Sequence, residues 1–475
     1  MKKCKRIISA LLILAMSLGL SMTAGATETT EEEDAEEAYK KQLQAIYDMP
    51  VQSNELENWP EGPGTYGEAA IVMEAETGAI LYAKNIDEQH YPASITKVLT
   101  ALVALENGNM DDPVKMSHDS VAFLQPGDSS IALKEGDELN LEQALYATLL
   151  ASANEAAYTV AENVGINAGH DYEWFINQMN VRCKELGGSN SNFVNANGLH
   201  DANHYTSARD MALIGCEIFE HPEVFEIMQT REYVIEESET VERHVFQQKH
   251  KMLLEGYQAY YEDAIGGKTG YTSDALSTLI TMADNGEMQL VCVVLHTYGK
   301  NIYPDTTNLF EYGFNHFQKI SVDGLEASED IEAILMDQDG GYVVLPDGVE
   351  FTDLTMELVP DDANNGEATL LYYYEDMPVG SARAKLSKAY LKEHSIKIET
   401  TSETKTEEKD GLPKIAKIII GCLAVVLIVF VCLFVRAIVI RNRRRRRRRQ
   451  MRARKAREWQ KMNNGHSTHR SRRHE

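Results

Sequence analysis

Ser94 and Lys97, three apart in "YPASITKVLTALVALE", are residue types that nucleophilic acyl transfer requires. A serine hydroxyl is a weak nucleophile at neutral pH and needs an adjacent base. A lysine becomes that base when burial or a neighbouring cation depresses its pKa. The spacing alone decides little, because Ser402-Glu403-Thr404-Lys405 repeats it in a polar stretch with no apolar face to hold a lysine. Read locally, Ser94 is equally a helix cap with Lys97 in water. Two further clusters offer related chemistry. "TLLASANEAAYTVAENVG" sets Ser152 and Asn154 between helical stretches, and "AIGGKTGYT" sets Lys268, Thr269 and Gly270 after a glycine pair. Singly they read as a helix cap and a Gly-rich turn. S-x-N and K-T-G each occur once in the chain.

The elements needed to position these residues are visible in the periodicity. Val98, Leu99, Leu102 and Leu105 form a stripe that buries one side of a helix, with Ser94 in its first turn and Lys97 one turn on, on the same face. Unpaired N–H groups and the positive dipole end at that terminus favour an oxyanion beside the serine. "AAIVMEAETGAILYAKN" predicts two strands around Thr77-Gly78. Helical spacing then runs to about residue 220, strands return after about 230, and Asp284-Asn285-Gly286 between two apolar runs predicts a hairpin. One sheet covered by helices follows, an α/β or α+β domain over residues 63–318. Residues 319–400 alternate apolar and polar side chains between Pro, Gly and Asp breaks, which predicts a smaller all-β domain. Residues 401–413 form a polar linker, and no internal repeat is visible.

The two ends of the 475-residue chain are read separately. Lys2, Lys3, Lys5 and Arg6 precede the apolar run Ile7 to Leu20, and Ala24-Gly25-Ala26 follows, so residues 1–26 are expected to be a secretory signal peptide. Residues 27–62 begin acidic and read as a tether or short docking helix. Residues 414–440 are expected to be a single transmembrane helix, and the arginine-rich stretch 441–475 a cytoplasmic tail under the positive-inside rule. The catalytic part would then lie outside the cell membrane. Residues 436–475 carry 17 Lys or Arg against Glu458 and Glu475, so the remainder is more acidic than the chain's net −27. Such an exterior resists nucleic acid, and the basic tail reads as an anchor flank for anionic headgroups. Cys183, Cys216 and Cys292 are too few and too far apart for a disulfide framework; they read as buried thiols with one disulfide left open. No C-x-x-C or H-E-x-x-H is present, and no metal or organic cofactor is indicated.

S-x-x-K, S-x-N and K-T-G, in that order, resemble the three-part signature of the penicillin-recognising serine acyl-enzymes. The segments "PASITKVLTALVALE", "LLASANEAAYTVAE", "FINQMNVRCKELGGSNSNFVNANGLHDANHYTSARDMALI" and "GGKTGYTSDALSTL" extend the likeness over about residues 63–400. The chain resembles the low-molecular-mass penicillin-binding proteins that are serine-type D-alanyl-D-alanine carboxypeptidases, peptidase family S11. The resemblance implies a β-lactamase/transpeptidase-like catalytic domain followed by a small β domain. Its implied substrate is the peptidoglycan stem peptide, with β-lactam antibiotics as covalent inhibitors. By motif, Ser94 would be the acylated nucleophile, Lys97 its base, and Ser152 a proton relay. Asn154 would bind the substrate amide, and Lys268 and Thr269 its carboxylate. The substrate would lie along the strand of Gly270, with an oxyanion hole from the N–H groups of Ser94 and Tyr271. Ala153 departs from the family's usual Gly, and a methyl group there disfavours positive φ. A β-lactamase is the nearest alternative, with Glu173 as its water-activating carboxylate, but apolar spacing through Phe175, Met179 and Leu186 places Glu173 on a packing helix. A non-catalytic wall-binding or signalling protein is the alternative of another class.

Overall fold

The computed structural model describes residues 28–335, 341–361 and 366–394. The expected signal peptide, linker, transmembrane helix and basic tail lie outside these residues. No helix among the described residues is long and apolar enough to cross a membrane.

The chain opens with α1 (Glu28–Tyr47) and then forms the hairpin of β1 (Ala69–Glu74) and β2 (Ile80–Lys84), turning at Gly78 with φ +72°. Helices α2 (Thr96–Asn107), α3 (Leu141–Leu149), α4 (Asn154–Asn167), α5 (Tyr172–Glu185), α6 (Ala208–Glu217) and α7 (Pro222–Gln229) follow. Strands β3 (Ala264–Thr272), β4 (Leu276–Asp284) and β5 (Gln289–Thr297) complete an antiparallel sheet of order β2-β1-β5-β4-β3. The expected turn at residues 284–286 joins β4 to β5, with Asn285 Oδ1 accepting from the N–H groups of Glu287 and Met288. The sequence alternation sorts side chains between two cores, because successive strand residues face opposite ways. Ile71, Met73, Val291, Val293 and Leu295 pack against the helical layer, whereas Ala70, Val72, Leu290, Cys292 and Val294 pack against α8 (Ile302–His316) and beyond.

The second core runs on into a six-stranded antiparallel sheet. Its strands are β6 (Phe317–Ser321), β7 (Ile331–Leu335), β8 (Tyr342–Pro346), β9 (Thr355–Pro360), β10 (Glu367–Tyr374) and β11 (Met377–Leu386). In β10, Ala368, Leu370, Tyr372 and Tyr374 are buried and the residues between them are not, the alternation of a half-buried strand. β6 begins directly after α8, and Val343, Leu370 and Ala382 share one cluster with Leu81 and Phe310.

Two local readings change. The stretch 27–62, expected as a tether or short docking helix, is helical in α1 and packed in its second half: Ile46, Val51 and Trp59 are buried, and Trp59 Nε1 donates to Leu81 O at 3.1 Å. Trp59 stacks on Tyr374 of the second sheet, so sparse apolar residues in a Pro- and Gly-rich stretch seal a seam that periodicity does not report. Helix α2 buries every residue from Thr96 to Ala104, not a single stripe, because α3, α4, α5 and α6 surround it.

Candidate active site

A single 3-10 turn, Ala93–Ile95, presents Ser94 at the head of α2. Ala93 has φ +51°, a strained value for a residue with a Cβ, and its surroundings hold it there. Thr96 Oγ1 donates to Ala93 O at 2.8 Å, and Thr278 Oγ1 on β4 donates to Pro92 O at 2.8 Å. His204 Nδ1 accepts from Val194 N at 3.1 Å, which leaves Nε2–H to face Thr96 Oγ1 at 2.9 Å; the tautomer is assigned from this network. Burial holds His204 down to about 4, so it stays neutral.

Because α2 is enclosed on all sides, Lys97 is fully buried one residue into it. Its Nζ lies 3.0 Å from Ser94 Oγ, 2.8 Å from Asn154 Oδ1 and 2.5 Å from Asn197 O. Burial pushes its pKa well below the ordinary lysine range, and the charges of Lys268 and Lys249 add to the effect. An amine shifted toward its neutral form and set against a serine hydroxyl has the geometry a general base requires.

Ser152 and Asn154 sit where the chain turns from α3 into α4. The positive φ falls on Ser152, at +60°, and not on Ala153, which has φ −62°. The methyl of Ala153 is therefore unstrained, and it is wholly buried. Asn154 N donates to Ser129 O at 2.8 Å, and Glu155 accepts from Ser130 Oγ and Ile131 N, so the start of α4 fixes the loop that forms one rim of the site.

β3 is an edge strand, leaving one side of its backbone for pairing with an extended peptide. Lys268 is 2% exposed and donates from Nζ to Thr269 O at 2.7 Å. Burial, with Lys249 as a neighbouring cation, brings its pKa down to about 7. The Gly of K-T-G has a steric reason: a Cβ on Gly270 would stand 2.3 Å from Thr278 Oγ1 and 2.9 Å from Ser94 N. Only glycine lets β3 close on the backbone of Ser94. Tyr271 is 68% exposed at the mouth.

Ser94, Ser152, Asn154, Thr269, Gly270 and Tyr271 line one cleft of about 750 Å³. Lys97 and Lys268 lie behind its wall. The structure thus brings together all eight residues that the sequence motifs single out. It adds three groups that they did not: Asn197 O on Lys97, Gly198 beneath Ser94, and Lys249 on the rim, whose Nζ is 3.3 Å from Ser129 Oγ. The Asn-Gly pair at 197–198 was the one available signal for the first two, since it marks a tight turn. Asn195 Oδ1 accepts from Gly198 N, and Tyr172 and Thr100 pin Ala196. Gly198 has φ +80°, and a Cβ there would stand 1.9 Å from Ala93 O. Gly198→Ala is expected to cost on the order of 3 kcal/mol in urea unfolding, through strain and overpacking combined, and to slow acylation of Ser94 in the same protein. Unchanged values of both would remove Gly198 from this role.

Glu173 is exposed on the first turn of α5 and does not line the cleft, while Phe175 and Met179 are buried as the spacing predicts. Cys183, Cys216 and Cys292 are free thiols, and burial raises the pKa of each.

A family model described as D-alanyl-D-alanine carboxypeptidase, Peptidase S11, matches residues 58–299. A D-alanyl-D-alanine carboxypeptidase of Bacillus subtilis strain 168, DacF, is 31% identical over 256 residues, covering 53% of this chain and 62% of DacF. The Haemophilus influenzae carboxypeptidase DacA is 27% identical over 304 residues, 62% of this chain and 73% of its own. Among solved structures, the Streptomyces K15 DD-transpeptidase superposes with TM-score 0.49 at 26% identity, covering 54% of this chain and 100% of that one. The match to DacF spans less than two thirds of DacF's length.

Proposed function

This chain belongs to the S11 family of D-alanyl-D-alanine carboxypeptidases, and on that premise we propose that it removes the terminal D-alanine from peptidoglycan stem pentapeptides through an acyl-enzyme on Ser94. The observation that carries the reading is the Lys97 amine, fully buried and 3.0 Å from Ser94 Oγ, beside an edge strand that holds a second buried lysine.

Each side chain takes a role its surroundings support. Neutral Lys97 accepts the Ser94 proton as Oγ attacks the carbonyl between the two D-alanines. The oxyanion is received by the N–H groups of Ser94 and Tyr271 on the two elements that Gly270 brings into contact. Ser152 passes a proton to the departing amine. With Asn154 Oδ1 occupied by Lys97, the amide NH2 is the end that Asn154 has left for the substrate. Protonated Lys268, with Thr269, holds the terminal carboxylate. β-Lactams acylate the same serine. The sequence further supports export by residues 1–26, division into domains at 63–318 and 319–400, a membrane-spanning helix at 414–440, and a cytoplasmic tail, which sets the cleft facing the wall.

Purified protein is expected to release one D-alanine per turnover from a peptide ending in D-Ala-D-Ala, and to form a long-lived one-to-one adduct with penicillin. Fast turnover of penicillin with the peptide left intact would establish the β-lactamase reading in its place.

A further inference from the structure

Three side chains outside the acyl-transfer machinery meet on the flank of the first sheet. Glu68 lies just ahead of β1, His90 between β2 and Ser94, and His296 near the end of β5. One donor atom from each lies within 4.8 Å of the other two. Glu68 Oε2 stands 2.8 Å from His296 Nδ1, and the rings of His90 and His296 stack with centroids 5.7 Å apart. His90 is only 9% exposed. Its Nε2 is buried with no hydrogen-bond partner among the described residues, while His296 Nδ1 is buried against Glu68 Oε2. Two imidazole nitrogens, that of His90 unpartnered, thus converge on one carboxylate, whereas buried polar atoms are ordinarily satisfied.

We propose that Glu68, His90 and His296 bind a zinc ion. Two imidazoles and one carboxylate are a donor set that zinc takes, and hard oxygen-seeking cations do not favour it. A tetrahedral ion with bonds of about 2.1 Å needs its ligand atoms about 3.4 Å apart, so the trio must close slightly. Glu68 and His296 are each about one quarter exposed and have room to rotate. Water takes the fourth position, or Glu88, whose Oε2 is 3.8 Å from His90 Nε2. The site is structural. His90 is four residues ahead of Ser94 and exchanges backbone hydrogen bonds with Thr206, at 2.8 and 2.9 Å. An ion there would clamp the approach to the nucleophile onto two central strands of the sheet.

Zinc chloride titrated into the full-length protein against a chromophoric chelator tests this. Wild type is expected to bind one equivalent more than His90→Gln or His296→Gln, and Glu68→Gln to bind about tenfold or more weakly. The thermal midpoint of wild type should rise by about 5 °C at a hundredfold excess over Kd, and that of the histidine variants should not. Penicillin labelling of Ser94 verifies that each variant is folded. Should one fail to fold, cobalt substitution in wild type decides: visible d–d bands without thiolate charge transfer support the site. Equal zinc uptake by wild type and both histidine variants, or thiolate bands with cobalt, would overturn it and leave Glu68 and His296 as a simple ion pair.

Discussion

Lys97→Arg is expected to slow covalent labelling of Ser94 by fluorescent penicillin about a thousandfold, nearly as far as Ser94→Ala, because a nucleophile and its base act as a unit. Arginine preserves the positive charge and most of the length. What it lacks is a neutral form, since its pKa lies above about 12 even before burial. The substitution therefore separates a base from a merely electrostatic partner of the serine. Lys97→Met, which keeps most of the volume and removes the basic amine, should be equally inactive. The pH dependence carries the same sign. Burial lowers the Lys97 pKa, so the neutral amine predominates above that depressed value and is lost as pH falls through it. Acylation should decline tenfold per pH unit on that acid limb. Labelling of Lys97→Arg within tenfold of wild type would assign the base elsewhere.

Lys268→Met should lower kcat/KM for a D-Ala-D-Ala peptide on the order of 100-fold to 1000-fold, the penalty for leaving a desolvated carboxylate without its cation. Here the protonated form is the working one. With its pKa brought down to about 7 by burial and by Lys249, Lys268 is charged below that pH and neutral above it. The kcat/KM of the carboxylate substrate should fall on the alkaline side of about pH 7, and the Lys268→Met profile should be flat there. Amidating the peptide's C-terminus removes the same limb in wild type. An alkaline limb that survives both changes would show that the carboxylate is held by another group, with Lys249 first in line. Lys97 and Lys268 thus bound opposite sides of one pH profile.

What the sequence disclosed, and what it withheld, divides by the kind of group involved. Side chains acting through their own chemistry were legible: Ser94, Lys97, Ser152, Asn154 and Lys268 carry residue types that acyl transfer demands, and the order of their motifs outweighed the stray match at Ser402. The hairpins at 77–78 and 284–286 were legible because Gly and Asn mark turns. Groups acting through the backbone were not. Asn197 contributes a carbonyl that any residue possesses, and Gly198 matters for the side chain it lacks. Ala153 stood out as a methyl where positive φ would be disfavoured, yet the positive φ belongs to Ser152. Long-range assemblies were equally hidden: Glu68, His90 and His296 come from three distant segments, and Trp59 finds Tyr374 across most of the chain. No periodicity connects such partners; only the closed fold does.

On the proposed mechanism, the protons on the Lys97 amine give its setting a preferred direction. Three oxygens surround Nζ, and two of them, Asn154 Oδ1 and Asn197 O, have no hydrogen to give. A neutral amine owns two N–H bonds and one lone pair. The two N–H bonds are claimed by the two obligate acceptors, so the lone pair is left for Ser94, whose hydroxyl alone of the three can donate. The amide and the carbonyl thus act as a ratchet on the rotation of the amine. On the proposed mechanism, with Lys97 neutral, the serine hydrogen would point along the path on which it leaves before any substrate arrives.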